Sequence, residues 1–421
     1  MLTDGALRMI VLLHFHTIGF TPIQLSYLFL LYEFAGIITN LYAGWIAKKF
    51  GLSITMYAGL ILQIISLFAL SKLDQNWSVL FSLTFVMVFQ GLSGIAKDLT
   101  KMSSKSSVKL LAPSKDNKLF KWVTILTGSK NTIKGLGFFV GGLLLIFLGY
   151  ENSLEIMCLF LILIFIFSLK LMPKKLGYTN KKTKFKEVFS TNTNINKLSL
   201  ARFFLFGARD VWFVVGLPIF LYSIISDGSV EKNKEAFFII GSFLASWVIL
   251  YGIIQASTYK LLGIEKNKLS KIKLTKDWAL YIFPIPIVLY FLINIYPENI
   301  QFNLLATIIV LLIFAFVFAI NSSLHSFLIL EFTSKDRVTM DVGFYYMANA
   351  SGRLIGTLMS GACYSIGGIE ICLFFSSLML LFNRLSTGRI SEKVKLARFY
   401  FILITFLFKL EFFIASRIAT F

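Results

Sequence analysis

Eight cations, Arg8, Lys97, Lys101, Lys130, Lys134, Arg202, Arg209 and Arg353, and five carboxylates, Asp4, Glu33, Asp98, Asp210 and Asp341, fall within long apolar stretches of this 421-residue chain. An ionised side chain near the middle of a membrane span costs roughly 2.5 to 3.5 kcal/mol on insertion scales, so each must face water, a partner or a bound molecule. Lys97 and Lys101 are four residues apart, as are Lys130 and Lys134, so each pair shares one face of a helix. If these helices form an antiparallel hairpin about Pro113 to Lys118, Lys101 lies level with Lys130 and Lys97 with Lys134, in two tiers roughly 6 Å apart. Four ammonium groups with Asp98 as the local counter-charge repel one another unless an anion comes between them. The expected chemistry is binding of a multiply charged anion, with Lys97, Lys101, Lys130, Lys134, Arg209 and Arg353 as contacts and Arg8 and Arg202 next in rank. The alternative for Lys97 and Lys101 is extension to the headgroups, the course expected of Lys105 and Lys109.

Glu33, Asp98 and Asp210 are the candidate coupling or gating acids. Glu33 reads as an unpaired carboxyl, which could exchange protons or make a structural hydrogen bond to a neighbouring helix. Arg209 and Asp210 diverge by roughly 100° on a helix and need not pair, leaving one for substrate and the other for a gate. His14, His16 and His325 are proton carriers or structural hydrogen-bonding residues. Cys158, Cys363 and Cys372 have neither pairing nor metal-ligand spacing and read as small buried hydrophobes. No metal, cofactor or catalytic residue is expected, because the clustered nucleophile or acid-base pair of a membrane-embedded hydrolase or transferase is missing from the sequence.

The elements that position these charges are membrane helices. Hydrophobic residues make up 57% of the chain and charged ones 15%, against about 45–50% and about 25% in soluble domains. That excludes a water-soluble globule and a large soluble catalytic domain, and the continuous apolar runs disfavour a β-barrel. Apolar runs fall near 5–20, 22–47, 52–71, 77–112, 119–150 and 153–172, and again near 198–223, 236–259, 278–296, 302–330, 338–366 and 368–384. The predicted fold is an all-α polytopic membrane protein: a six-helix half over 1–172, a basic linker over 173–197, a second half over 198–384, and an atypical tail over 385–421. That tail reads as an interfacial helix, with a thirteenth span or a frameshifted end as alternatives.

The net charge of +20 is concentrated in alternate loops, around Lys48 and Lys49, Lys109 to Lys118, the linker, Lys260 to Lys276, and Lys335 and Arg337. The positive-inside rule puts these loops, the linker and the amino terminus in the cytoplasm. The first span holds only about sixteen residues before Pro22 and reads as clipped, a full span of roughly 20 residues beginning upstream of Met1.

The two halves carry a faint repeat. Lys134, Gly137 and Gly141-Gly142 match Arg353, Gly356 and Ser360-Gly361 at identical spacing, Ser114-Lys115-Asp116 matches Ser334-Lys335-Asp336, and Gly5-Ala6-Leu7-Arg8 resembles Gly207-Ala208-Arg209-Asp210. The glycines read as seams where helices approach closely.

Twelve spans in two halves resemble the major facilitator superfamily. Gly44 to Gly51 resembles its signature loop, with Lys48 where an acid is expected, and Gly137-Phe138-Phe139-Val140-Gly141-Gly142 is similar to its antiporter motif, with Phe138 replacing the proline. Four stretches, 2–19, 90–109, 201–222 and 331–361, resemble the organoarsenical-efflux permeases of that superfamily, the likeness covering roughly 2–365. The resemblance implies export of 1-arseno-3-phosphoglycerate, the labile ester that glyceraldehyde-3-phosphate dehydrogenase makes from arsenate, and hence arsenate resistance. A ligand bearing carboxylate, phosphate and arsenate suits a Lys- and Arg-rich cavity, whereas trivalent arsenic calls for thiolates that the scattered cysteines do not supply. The expectation is a monomeric bacterial inner-membrane exporter that works by alternating access, touches membrane lipid, binds no nucleic acid and depends on the dehydrogenase for its substrate. The alternative is an exporter or exchanger of another organophosphate, organic anion or drug.

Overall fold

The computed structural model describes residues 1–74, 76–111, 118–172, 190, 192–262, 271–296, 299–333 and 338–390. All of the regular structure among them is helical: α1 (Leu2–Thr17), α2 (Pro22–Leu28), α3 (Leu30–Phe50), α4 (Leu52–Ser71), α5 (Val79–Leu111), α6 (Lys118–Leu171), α7 (Thr193–Phe213), α8 (Gly216–Ile225), α9 (Val230–Leu261), α10 (Lys271–Ile282), α11 (Ile285–Ile295), α12 (Ile300–Phe332) and α13 (Val338–Gly388). Local chemistry starts several of them. Thr21 and Gln24 form a capping box ahead of Pro22, and Asn192, Ser229 and Asn299 accept backbone N–H groups at the starts of α7, α9 and α12.

Nine helical stretches among the described residues are long and apolar enough to cross a membrane. Two of them reverse direction. Gly149 (φ 72°) folds α6 back on itself, and Gly368 (φ 66°) does the same in α13, a backbone region that glycine enters without the Cβ penalty. With each counted as two spans and α1 added, the described residues supply twelve candidate spans, matching the twelve apolar runs. Outward faces are apolar, Phe147, Phe160 and Phe167 among them.

Helix ends differ from the apolar runs at several places, α9 beginning at Val230 and α10 at Lys271, ahead of the runs near 236 and 278. α7 begins at Thr193, ahead of the run, because Asn192 caps it, and α13 continues to Gly388, so residues 385–388 extend the last span. The interfacial helix expected beyond, the linker lysines between 174 and 186, the Pro113 turn, the Ser114 and Ser334 loop motifs and Arg337 lie outside the described residues, as do the side chains of Lys48, Lys49, Lys105 and Lys109.

In the first half α1 packs along α6 and α3 along α5; in the second α7 packs along α13 and α9 along α12. The halves meet through α6 on α9 and α13 on α2 and α3. The repeat glycines lie at the matching seams. A Cβ at Gly5 would stand 2.3 Å from the Lys134 carbonyl oxygen, and one at Gly137 2.2 Å from that of Leu2. On the other side, a Cβ at Gly356 would meet the Gly207 carbonyl at 2.5 Å and one at Gly352 the Phe203 carbonyl at 2.1 Å. Ser360 does more than pack: its Oγ accepts the N–H groups of Val215 and Gly216 at 3.2 and 3.1 Å, where α7 gives way to α8.

Gly352→Ala is therefore expected to force α7 and α13 apart and to cost about 1–3 kcal/mol through overpacking. A lowered midpoint of thermal unfolding in detergent, relative to the unsubstituted protein, checks this.

Candidate functional site

All eight intramembrane cations singled out from the sequence line one cavity. Lys97 and Lys101 reach it from α5, Lys130 and Lys134 from α6, Arg8 from α1, Arg202 and Arg209 from α7, and Arg353 from α13. The cavity therefore lies between the halves. Asp4 lines it too, while Glu33, Asp98 and Asp210 stand just behind, each 1% exposed or less. By formal charge, eight cations against these four carboxylates leave an excess of four positive charges.

On the first-half side the lysines are held inward. Lys134 Nζ lies 3.2 Å from Asp4 Oδ2. Lys97 Nζ donates to the Tyr32 hydroxyl at 2.8 Å, and Tyr32 donates in turn to Asp4. Lys97 and Lys134 are thus joined through Tyr32 and Asp4. Lys101 Nζ lies 3.2 Å from Asp98 Oδ1 and 3.4 Å from Asn40 Oδ1. Lys97 and Lys101 accordingly do not extend to the headgroups. Asp98 is not the sole counter-charge either, because Asp4 arrives from α1, which the hairpin count leaves out.

Glu33 is not an unpaired carboxyl. Its Oε1 accepts from Arg8 Nη2 at 2.6 Å and from Arg353 Nη2 at 2.5 Å, and Arg353 Nε donates to Asp210 Oδ2 at 3.0 Å. Arg209 does pair with its neighbour, Nε donating to Asp210 Oδ1 at 2.6 Å. The result is a chain, Arg8–Glu33–Arg353–Asp210–Arg209, that crosses from one half to the other. Buried ion pairs of this kind stabilise little on balance but are costly to break on one side.

The second-half side has a different chemistry. Arg202 donates to Asn349 Oδ1 at 2.9 Å and to Ser322 Oγ at 2.9 Å, and no carboxylate among the described residues lies within salt-bridge distance of it. Its guanidinium stacks 3.9 Å from the Phe206 ring centroid. Asn131 of α6 donates to Gln255 of α9 at 2.7 Å, a second polar tie between the halves. Phe206, Phe213, Trp247 and Tyr251 complete this wall.

The halves touch on both sides of the charged level. On α13 the sequence runs Gly343, Arg353, Gly361; a Cβ at Gly343 would lie 3.3 Å from the Asn40 carbonyl, and one at Gly361 2.6 Å from that of Pro22. Arg353 sits between these contacts.

The Major Facilitator Superfamily profile matches residues 1–357. The chain belongs to the Major Facilitator Superfamily. Its solved neighbours include a POT family transporter, crystallised in complex with 5-aminolevulinic acid, with a TM-score of 0.69 at 15% identity over 92% of this chain and 93% of that one. At that identity the likeness shows the fold alone. The comparison with curated proteins gives no significant match.

As a superfamily member the chain is a multi-pass membrane transporter and not an enzyme. Its charged cavity lies where two six-helix halves face each other. The histidines do not contribute: His14 stacks on Tyr150, His16 meets Tyr222 edge-on, and His325 is buried in α12, none lining the cavity. Asp341 accepts from Thr333 at 2.8 Å, away from it. Tyr32 and Phe29, whose rings lie 4.9 and 5.1 Å from the Arg8 guanidinium, were missed. Their one sequence signal is position, since Phe29 is one helical turn before Glu33.

Proposed function

We propose that this superfamily transporter is an efflux permease for a multiply charged organic anion, 1-arseno-3-phosphoglycerate, and that it confers arsenate resistance from the bacterial inner membrane. The observation that carries this reading is the convergence of eight cations from both halves on one cavity with an excess of positive charge. Charge-assisted hydrogen bonds to Lys and Arg are the means by which carboxylate, phosphate and arsenate groups are held. Cys158, Cys363 and Cys372 are buried and line no part of the cavity, which suits an oxyanion and not a thiol-seeking arsenic species.

The transport cycle follows from competition for the same donors. With the basic loops and the linker on the cytoplasmic side, the anion enters from the cytosol between 1–172 and 198–384 and takes up Lys97, Lys101, Lys130 and Lys134. Its oxygens compete with Glu33 and Asp210 for Arg8, Arg353 and Arg209. Releasing Arg353 from Glu33 loosens the tie between the halves, so Glu33 and Asp210 act as gating acids, while Asp98 fixes Lys101. The chain works as a monomer and needs the dehydrogenase as its source of substrate.

The test is growth of an arsenic-sensitive bacterium expressing the protein, with and without added glyceraldehyde-3-phosphate dehydrogenase. Protection against arsenate but not arsenite, dependent on the dehydrogenase, is expected. Verified membrane expression with no protection would rule the ester out as substrate.

A further inference from the structure

Six of the eight cavity cations already hold a carboxylate: Arg8 and Arg353 share Glu33, Arg209 takes Asp210, Lys97 and Lys101 flank Asp98, and Lys134 takes Asp4. An anion reaching any of these competes with an ion pair that is in place before it arrives. Arg202 is different. It is 4% exposed, and its hydrogen-bond partners Asn349 and Ser322 are neutral, so they leave its charge in place. A buried guanidinium without a counter-charge is costly, and an arriving anion relieves that cost instead of exchanging one partner for another.

The hydrogen bonds of Arg202 mark where such an anion sits. A guanidinium has five N–H groups in one plane. Nε donates to Asn349 Oδ1 at 2.9 Å, and the two Nη1 groups serve the Ser322 carbonyl and Oγ at 3.1 and 2.9 Å. Nη2 has no acceptor among the described residues, yet it is not one of the sealed, partnerless atoms of the interior, so its two N–H groups open on the cavity that Arg202 lines. Asn349 is in the same position. With its Oδ1 turned to Arg202, its Nδ2 donates to no described residue, and it too is unsealed where Asn349 lines the cavity. The surroundings hold these donors in place: the guanidinium lies 3.9 and 5.2 Å from the Phe206 and Tyr345 ring centroids, and Ser322 Oγ is engaged by Tyr251 and Gln255 at 3.2 and 3.4 Å. Donors already fixed cost little to order when a ligand arrives.

We propose that Arg202 Nη2 and Asn349 Nδ2 form a preformed subsite for one oxyanion group, as on inorganic phosphate or a phosphate ester, that docks without displacing any carboxylate of the protein. This rests on the reading of the cavity as an anion site and divides that site in two. One end of the anion is captured at Arg202, and the other then competes for the paired cations. Inorganic phosphate has the first group and lacks the second, so it occupies Arg202 and goes no further.

The experiment is isothermal titration of the purified full chain with inorganic phosphate and, separately, with 2,3-bisphosphoglycerate. Phosphate is expected to bind the unsubstituted protein and Lys134→Ala equally, and to bind Arg202→Gln about ten-fold more weakly or worse, the loss of a charge-assisted hydrogen bond. Asn349→Ala keeps the charge and weakens phosphate binding about five-fold, the loss of a neutral one. With its thermal unfolding midpoint, this second variant covers the case in which Arg202→Gln does not fold. Phosphate binding that Lys134→Ala abolishes, or that folded Arg202→Gln and Asn349→Ala retain in full, overturns the subsite. Bisphosphoglycerate binding without any phosphate binding also overturns it and leaves the anion site standing. Failure of both to bind overturns the anion site and the subsite with it.

Discussion

Lys134→Ala is expected to abolish arsenate protection while leaving the amount of protein in the membrane unchanged, and Lys130→Ala to do the same. Each substitution removes one ammonium group from the face that receives the anion, and losing a charge-assisted contact of about 1.5–3 kcal/mol weakens binding by roughly ten- to hundred-fold. For Lys134 there is a competing explanation, since its Nζ also sits 3.2 Å from Asp4 and its loss strands that buried carboxylate. Asp4→Asn combined with Lys134→Ala separates the two. If Lys134 serves only to neutralise Asp4, the double variant regains protection; if it holds the anion, the double variant stays inactive, which is the expected result. Lys130→Ala and Lys134→Ala strains that both retain full protection would remove the lysine tiers from the mechanism.

The second large effect falls on Arg353. Its Nη2 and Nε serve Glu33 and Asp210 at 2.5 and 3.0 Å, so alanine leaves carboxylates on both halves short of a partner. Breaking a buried pair from one side costs about 3–5 kcal/mol, and Arg353→Ala is expected to lose transport and to lower the thermal unfolding midpoint together. Arg353→Lys should recover part of the midpoint but little transport. A single ammonium cannot reproduce the two-sided geometry of the guanidinium fork. Full transport by Arg353→Lys, measured alongside its membrane level, would show that charge alone matters there and that the crossing chain is dispensable.

What was legible in the sequence was the inventory; what was not was the pairing. Twelve spans follow from apolar runs whose lengths match a bilayer, and the eight cations stand out because each is expensive where it sits. The glycine seams were legible as well, since Gly137 follows Lys134 at the spacing by which Gly356 follows Arg353, and Gly5-Ala6 matches Gly207-Ala208. Glu33 is the counter-example. Its partners Arg8 and Arg353 lie 25 and 320 residues away, and no periodicity links them. Asp4 was visible as a buried acid but not as the partner of Lys134, because levels counted along the α5–α6 hairpin say nothing about α1. The aromatic wall was hidden for another reason: in a chain with 45 phenylalanines, four rings on one side of a cavity look like any other helix packing until the helices are assembled. Helix ends were read short where a cap, such as Asn192, sits beyond the apolar run.

The most direct measurement is equilibrium binding of 2,3-bisphosphoglycerate, a stable anion with one carboxylate and two phosphates, to the purified protein by isothermal titration at low and high salt. The expected result is one binding event whose affinity falls as salt screens the lysines and which is lost in Lys134→Ala. No binding at low salt, or binding that Lys134→Ala leaves intact, would contradict the assignment of this cavity as the site of a multiply charged anion.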